Sequence, residues 1–384
     1  MNPIEATSST TVRILAVGDL VLDQPDIARW FEPTRDLIRS AHLAIGQIEV
    51  PHSTSTEVAT LDVPAPPADP ANLVAAAEVG FAVGTLAGNH VYDCGPQGIS
   101  DTIATATGAG MTVTGAGAHL AAARKPAIVE RLGRSIGVVS YNCVGPRESW
   151  ATSAKAGAAY VRVITHYELD TANPGGPPSV YTFADRTSLA SFVADVKDLA
   201  ATVQIPIVAL HKGIGHVPVD VADYEIEVAH AAIDAGAHAV IGHHAHILRG
   251  IEMYRGRPIF HGLGNFVTVT NALATSQADS PERQAWARRR RRLFGFEPDP
   301  AMPVYPFHPE SRNTMIAVLD ADDDGLRAGF IPCWIDDDAR PVPHGDDDRG
   351  ISVTAYIARI SREAGFDTTF TWQDGIVRVG ERST

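Results

Sequence analysis

Four short apolar segments of this chain each lead into a polar cluster, and this repetition constrains the fold more than any other feature. The segments cover residues 12–17, 81–85, 206–210 and 237–241, and the clusters that follow them are Gly18-Asp19, Gly88-Asn89-His90, His211 and Gly242-His243-His244. Segments rich in β-branched residues that alternate with alanine-rich segments of helical period are typical of α/β proteins. Because open sheets of this class bind ligands at the carboxyl ends of their strands, the pattern predicts a binding site along that edge.

Capping residues and apolar spacing predict the helices between these strands. Asp69 as N-cap, with Pro70 at the first helical position, predicts a helix that runs to Val79. Helical spacing predicts two more helices, over 186–202 and 221–235. Further elements are predicted as follows: a long loop at 51–70, strands at 126–130, 135–141, 159–165, 314–319 and 330–335, and a helix near 351–363.

The composition changes at residue 271 and again near 313. Residues 12–270 carry the strand and helix pattern, whereas 271–312 contain six arginines between 283 and 292 followed by a proline-rich stretch. We interpret 271–312 as an insertion or lid. Residues 313–384 return to short strands and one helix, which we expect to complete the same domain as 12–270.

Charge and cysteine content exclude several classes of protein. The chain carries 45 acidic and 31 basic residues, a formal net charge of −14, which argues against nucleic acid and anionic membranes as partners. Three cysteines far apart in sequence cannot form a disulfide framework, so a reducing compartment is expected. The first eleven residues lack the features of a signal peptide, and no apolar run is long enough to span a bilayer. We therefore expect a cytoplasmic protein.

The polar clusters at the strand ends contain the ligand types of a metal centre. These residues are the carboxylates Asp19 and Glu49, the amide Asn89, and the imidazoles His90, His211, His243, His244, His246 and His261. Imidazole, carboxylate and amide oxygen together favour a borderline divalent metal over a thiolate site. The set does not select among Mn, Zn, Fe and Ca. His244 and His246 can bind one ion only if the chain turns there, and the preceding Gly242 permits that turn.

Six ordered sequence blocks resemble the CapA family, which is named for poly-γ-glutamate capsule synthesis and is related to calcineurin-like metallophosphoesterases. The blocks are Val17-Gly18-Asp19, Gln47-Ile48-Glu49, Gly88-Asn89-His90-Val91-Tyr92-Asp93-Cys94-Gly95, Leu210-His211-Lys212-Gly213, Ile241-Gly242-His243-His244-Ala245-His246 and Ile259-Phe260-His261-Gly262-Leu263-Gly264-Asn265-Phe266. The resemblance implies a four-layer α/β/β/α sandwich of the calcineurin-like metallophosphoesterase type, with one or two divalent metal ions.

The resemblance also implies roles for individual residues. The metal ligands that the resemblance implies are Asp19, Glu49, Asn89, His211, His244 and His246, with His243 as an alternative to His244. His90 matches the histidine that assists the leaving group in phosphoesterases. Asp93 is interpreted as a carboxylate that fixes a histidine tautomer, or else as a residue with a helix N-terminal role.

Three departures from the family pattern affect the expected function. Phosphoesterases carry Asp-x-His on the first strand, and here Val21 stands where that histidine would be. Glu49 replaces the usual aspartate, and Lys212 replaces the tryptophan of a His-Trp-Gly block. These departures argue against a standard phosphatase and against export-linked polymer synthesis.

The resemblance extends to a cytosolic relative, the lasso-peptide epimerase, which inverts the α-carbon of a precursor peptide's C-terminal residue with metal and no organic cofactor. Such chemistry needs two bases on opposite faces of the α-carbon, and His90, His216 and His261 are the candidates. The alternatives are a metal-dependent hydrolase of a phosphoester, amide or γ-glutamyl bond, and a poly-γ-glutamate or capsule biosynthesis protein without catalytic activity. His261 is equally interpretable as part of a glycine-rich turn.

Basic residues suggest how a peptide or small anionic substrate is held. Lys212 is a candidate for binding a substrate carboxylate or phosphate, with an exposed loop lysine as the alternative. Arg288 and Arg289 begin a run of five arginines that is either an anion-binding lid or a solvated segment. The oligomeric state is left open.

Overall fold

The computed structural model describes residues 10–60, 67–169, 171–271 and 281–382. Its strands are β1 Val12–Leu22, β2 Leu43–Ile48, β3 Phe81–Thr85, β4 Thr112–Thr114, β5 Ala116–Gly117, β6 Ala127–Arg131, β7 Arg134–Asn142, β8 Gly157–Ala158, β9 Val163–Glu168, β10 Ser179–Ala184, β11 Ile205–Lys212, β12 Ala239–His244, β13 Ile251–Tyr254, β14 Arg257–Phe260, β15 Asn265–Val269, β16 Asn313–Asp322, β17 Gly325–Ile335, β18 Pro341–Pro343, β19 Thr368–Gln373 and β20 Ile376–Glu381. Its α-helices are α1 Arg35–Ser40, α2 Pro70–Val79, α3 Gly95–Gly108, α4 Leu120–Ala123, α5 Arg186–Thr202, α6 Asp223–Asp234, α7 Pro281–Phe294 and α8 Asp348–Glu363.

Two large sheets form the framework. The first has the strand order β19-β20-β17-β16-β1-β2-β3-β4, with β15 beside the second half of β1 and β18 beside β17. Strands β1 to β4 and β15 run parallel, while β16 is antiparallel to β1. The second sheet has the order β13-β14-β12-β11-β7-β6, in which β7, β11, β12 and β14 run parallel. Parallel pairing at the centre of each sheet brings the carboxyl ends of several strands to one edge.

Apolar side chains fill the space between the two sheets and cover both outer faces. Alternate residues of β1 point in opposite directions, so Ile14 packs in the inter-sheet core while Leu15 packs in the core beneath α2 and α3. On the second sheet, Val208 packs outward in a core shared with α5 and α6, and Ile207 points inward. The layers are therefore helix, sheet, sheet and helix, and the predicted four-layer α/β/β/α sandwich is confirmed.

Local signals in the sequence located most elements. Helix α2 has the predicted bounds, and the Asp69 side chain accepts a hydrogen bond from Ala71 N at 2.8 Å as an N-cap should. The predicted strand at 159–165 is wrong in its first half, because 159–162 lie outside the named strands. Their backbone bonds instead to Gly115 and Asn142 in an irregular connection.

Two predicted segments lie partly outside the described residues. The predicted loop 51–70 includes 61–66, and the predicted insertion includes 272–280. Downstream of residue 313, β16 and β17 join the first sheet beside β1. Among the described residues, no helix is long and apolar enough to cross a membrane.

Candidate metal centre

The predicted ligands come from the ends of strands in both sheets. Asp19 lies in β1, Glu49 directly follows β2, and Asn89 follows β3. His211 lies near the end of β11, and His244 is the last residue of β12. The two sheets thus supply oxygen and nitrogen donors, respectively, to one edge of the sandwich.

Three of these residues form a compact donor cluster. One ligand atom from each of Glu49, His211 and His244 can be chosen so that all three lie within 4.8 Å of one another. His211 Nε2 lies 3.5 Å from Glu49 Oε1 and 3.2 Å from His244 Nδ1. Asn89 Oδ1 lies 2.8 Å from the same His211 nitrogen. Donor atoms that share a cation at about 2.0–2.2 Å have separations of this size.

Asp19 and His246 complete the ring of donors. His246 Nδ1 lies 3.5 Å from Asp19 Oδ2, and its Nε2 lies 4.0 Å from Glu49 Oε1. The backbone N–H of His244 donates to Asp19 Oδ2 at 3.2 Å. All six residues that the sequence predicted as ligands are therefore neighbours, although their roles as ligands remain a prediction.

Burial controls the protonation of these groups. Desolvation raises the pKa of Asp19 to about 7, against the hydrogen bonds that act to lower it. Burial, followed by the neighbouring imidazoles, lowers the pKa of His211 well below its ordinary value. His211 Nδ1 is buried and has no hydrogen-bond partner among the described residues. A neutral imidazole is the form that binds a metal, so His211 needs no proton release to act as a ligand.

The donor set fits a borderline divalent cation. Carboxylate oxygens, neutral imidazole nitrogens and one amide oxygen converge on a buried point, and no thiol lies in the cluster of Glu49, His211 and His244. A cation there would offset the cost of burying Asp19 and Glu49 side by side. The donors do not distinguish among Mn, Zn, Fe and Ca.

The chain turns sharply where His244 and His246 face the cluster. Both have positive φ, 89° for His244 and 54° for His246, a region that residues with a side chain rarely adopt. Gly242 is required for a different reason from the predicted turn, because a Cβ there would lie 2.2 Å from the carbonyl oxygen of His261. The backbone of Gly242 therefore packs closely against that of His261, just before the chain turns at His244.

The structure also separates His243 from His244. His243 Nε2 lies 3.1 Å from the carbonyl oxygen of Val17, in the protein interior, whereas His244 joins the donor cluster. Neighbouring residues of a strand point to opposite sides. Of the two alternatives that the sequence left open, His244 is the one in position to bind a cation.

His90 lies beside the donors and is held by Asp93. His90 Nδ1 and Asp93 Oδ2 are 2.7 Å apart, and Thr60 Oγ1 donates to Asp93 Oδ1 at 2.7 Å. A carboxylate on Nδ1 fixes the tautomer of the ring, with the proton on Nδ1 and the lone pair on Nε2. Thr60 had no signal in the sequence that linked it to His90.

His216 approaches the centre from the loop after β11. Its ring lies 6.0 Å from that of His246 and contacts three phenylalanines, with centroid distances of 5.0 Å to Phe294, 4.9 Å to Phe296 and 6.3 Å to Phe307. These phenylalanines form an aromatic wall beside the cluster. Two of them flank Gly295 just after the arginine run, a signal that sequence reasoning missed.

Two predicted site residues lie elsewhere. Lys212 was predicted to bind substrate, but its side chain has no exposed surface and its Nζ lies 3.0 Å from both Glu225 Oε2 and His261 Nδ1. His261, predicted as a base, is also fully buried, and its Nε2 lies 3.0 Å from Glu252 Oε2. Both predictions are corrected, because each side chain is enclosed by polar partners that a substrate cannot replace without unpacking the interior.

Asn265 lies at the centre without a role predicted from the sequence, whereas Arg288 and Arg289 have a predicted role that the structure does not test. Asn265 Oδ1 lies 2.9 Å from His246 Nδ1, and its signal in the sequence was its place in the glycine-rich block that follows His261. Arg288 and Arg289 are exposed on α7, the helix that ends at Phe294 beside His216. Their role in binding substrate remains a prediction.

The fold and this donor set define the class as a two-sheet α/β sandwich with a candidate metal centre at the strand ends. Residues 13–270 match the family described as bacterial capsule synthesis protein PGA_cap. The chain belongs to that family, and the predicted CapA resemblance is confirmed.

Curated relatives match only part of their own length. A protein named probable polyglutamine synthesis accessory protein, from Mycobacterium tuberculosis, is 36% identical over 187 residues, which are 47% of this chain and 44% of the relative. The PGA biosynthesis protein CapA of Bacillus subtilis is 31% identical over 191 residues, 50% of this chain and 43% of the relative. The matched region thus spans less than half the length of these relatives.

A solved structure is also similar to this chain. The calcineurin-like phosphoesterase YfkN of Bacillus subtilis aligns over 92% of this chain and 98% of that chain, with 12% identity and a TM-score of 0.38.

Proposed function

We propose that this chain is a metal-dependent enzyme that inverts the α-carbon of a peptide's C-terminal residue. The observation that carries the proposal is the pair of imidazoles outside the donor cluster. His90 directly follows Asn89, whose Oδ1 lies 2.8 Å from His211 Nε2, and is held by Asp93, while the ring of His216 stacks near that of His246. A two-base inversion requires two such groups.

Different residues would bind the cation and exchange protons with the substrate in this reaction. A divalent cation held by Glu49, His211 and His244 would supply Lewis-acid stabilisation of a substrate carbonyl or carboxylate oxygen. His90, oriented by Asp93, would exchange a proton with the substrate at Nε2. His216 would do so from its own side of the site.

The aromatic wall supports a peptide-like substrate. Phe294 is 40% exposed and contacts the ring of His216, while Phe296 behind it is buried, so the ring of Phe294 is an apolar surface open to a substrate beside His216. A side chain of a peptide would be desolvated there, whereas a small inorganic anion would gain nothing from such a surface.

Two other functions have support from particular observations. Hydrolysis of a phosphoester, amide or γ-glutamyl bond needs only one acid, and the His90–Asp93 pair would protonate the leaving group. An accessory role in polymer synthesis is favoured by the names of the relatives, and it requires no turnover by this chain.

Proton exchange in D₂O tests these functions together. The protein is loaded with Mn²⁺ or Zn²⁺ and incubated with peptides that have free C-terminal carboxylates, with a γ-glutamyl oligomer and with a phosphate ester. Epimerisation predicts one deuterium at the α-carbon and the appearance of the second epimer, by mass spectrometry and chiral analysis.

Single-base variants sharpen the test. In a two-base reaction, His90→Ala and His216→Ala should each still exchange the α-proton of one epimer and lose exchange of the other. His166→Ala is the control, because His166 lies exposed on the outer strand β9. Bond cleavage without exchange in any peptide would establish a hydrolase instead, and inertness toward all three probes would favour the accessory role.

A further inference from the structure

A buried charged cluster lies directly behind the candidate centre. Lys212, Glu225 and Arg249 have no exposed side-chain surface. Glu225 accepts from Lys212 Nζ at 3.0 Å and from Arg249 Nη2 at 3.2 Å. Buried charges of this kind add little net stability compared with apolar packing, so their presence calls for a specific role.

Arg249 ties down both ends of the loop that carries His216. Its Nη1 donates to the carbonyl of Ile214 at 3.3 Å, and its Nη2 donates to the carbonyl of Asp220. This loop joins β11 to α6 and is called the 213–222 loop after its residues. A planar guanidinium bonds here to two carbonyls and a carboxylate from different nitrogens of its fork, whereas an ammonium group has only one nitrogen from which to reach its acceptors.

The other members of the cluster hold the same loop. Glu225 Oε1 accepts from the backbone N–H of Ala222 at 3.0 Å, where the loop enters α6. The phenol of Tyr224 accepts from the backbone N–H of Gly213 at 2.8 Å. Every anchor at the ends of the loop therefore converges on the start of α6 and on Arg249.

The centre of the loop meets the metal centre. His216 adopts φ 60° and donates its backbone N–H to the carbonyl of Ala245 at 2.8 Å, between His244 and His246. A left-handed conformation in a residue with a side chain is retained only where the surroundings enforce it. The anchored ends and this bond together set where the His216 ring lies.

The path of Arg249 is shaped by a glycine. A Cβ at Gly262 would lie 2.5 Å from Arg249 Cγ, so the stem of the arginine passes where only glycine leaves room. The stem and the guanidinium are thus both constrained by the fold.

We propose that Arg249 and Glu225 are positioning residues that act through the 213–222 loop to hold His216 against the metal centre. The placement of the loop follows from the contacts alone, whereas a catalytic consequence rests on the proposed function. Both residues bond to the loop and to each other, so we expect cation affinity not to depend on them.

Amide hydrogen exchange of the full-length protein tests the placement without any activity assay. Arg249→Lys keeps the charge and the pairing with Glu225 but loses the fork that spans the loop. We expect exchange at the His216 amide to rise by about tenfold or more. Zn²⁺ affinity, titrated with the metal alone, should stay within about threefold of the wild type.

A matched control and a substitute variant keep the test decisive. Arg13→Lys makes the same change in a partly buried pair with Asp320. Arg13 lies six residues before Asp19, about 20 Å away along β1, so its substitution should leave the loop unchanged. If Arg249→Lys does not fold, Glu225→Gln replaces it, with an expected rise of about threefold or more.

Unchanged exchange at the His216 amide would overturn the proposal, and so would an equal rise in the Arg13→Lys protein. A fall of tenfold or more in Zn²⁺ affinity would show that the cluster supports the ligands themselves and would also refute it. If the wild type shows no turnover while the exchange result holds, the proposed function fails and the positioning role stands.

Discussion

Replacing Asp19 by asparagine should make the metal-free protein more stable at high pH. Burial raises the pKa of Asp19 from 3.8 to about 7, so the folded state binds this proton more tightly than the unfolded chain. Stability is then lost as pH rises from about 4 to about 7. A difference of about three pKa units, at about 1.36 kcal/mol per unit, corresponds to about 4 kcal/mol. Asparagine does not titrate and avoids this loss.

The measurement compares the two proteins across pH. Urea denaturation in the presence of EDTA gives the free energy of unfolding at pH 4 and pH 8 for wild type and Asp19→Asn. The difference, variant minus wild type, should increase by about 4 kcal/mol between these pH values. Effects of the substitution that do not depend on pH cancel in this comparison.

A control with the opposite sign is available in the same sheet. Burial acts to raise the pKa of Asp320, but Arg13 and Arg378 outweigh it and hold that pKa below its usual value. Asp320→Asn should therefore lose stability relative to wild type as pH rises toward the usual aspartate value near 4, and the difference should stay nearly constant between pH 4 and pH 8. For Asp19, we expect that hydrogen bonds do not fully offset the cost of burying the charged carboxylate. This expectation is refuted if the difference in unfolding free energy between Asp19→Asn and wild type does not change with pH, or decreases as pH rises.

Three further predictions concern the cation and the acid. His211→Ala should weaken Zn²⁺ binding by about 100-fold or more in a titration, because His211 lies in the donor cluster. His243→Gln, outside the cluster, should change it by less than about threefold, and equal losses would contradict the assignment. Asp93→Asn should lower kcat by about 10²-fold or more with little change in cation affinity, since the His90 tautomer is no longer fixed; unchanged kcat would remove Asp93 from the mechanism. Adding the cation to 100 times its Kd should raise the free energy of unfolding by about 2.7 kcal/mol, measured by denaturation with and without EDTA, and no change would mean that the folded state holds no such site.

The framework of the fold follows from local features of the sequence. Asp69 and Pro70 start α2 at the predicted residue, and the apolar segments at 12–17 and 206–210 lie within β1 and β11. The strand ends that carry Asp19 and lead to Asn89 were predictable as neighbours, because parallel strands of one sheet bring their carboxyl ends together. The approach of His211 also depends on how the second sheet packs on the first.

What the sequence could not supply was the surroundings of individual side chains. Lys212 and His211 are adjacent in β11 and face opposite sides, so one joins a buried ion cluster while the other faces the donors. His261 was drawn into the predicted base set by its glycine-rich block, yet it stacks on Phe366, at a ring distance of 4.7 Å. Such contacts arise between residues far apart in the chain, and the spacing of apolar and polar residues does not predict them.

The position of β1 also affects how the protein is made. The first half of β1 pairs with β16, and the bridge between Val12 and Ala321 joins residues 309 positions apart. At about 5–20 residues per second, a ribosome delivers that partner roughly 15–60 s after β1 has emerged. Until then one edge of the first half of β1, which is mostly apolar, has no pairing partner, so nascent chains should depend on holding chaperones and should aggregate when synthesis stalls before residue 313.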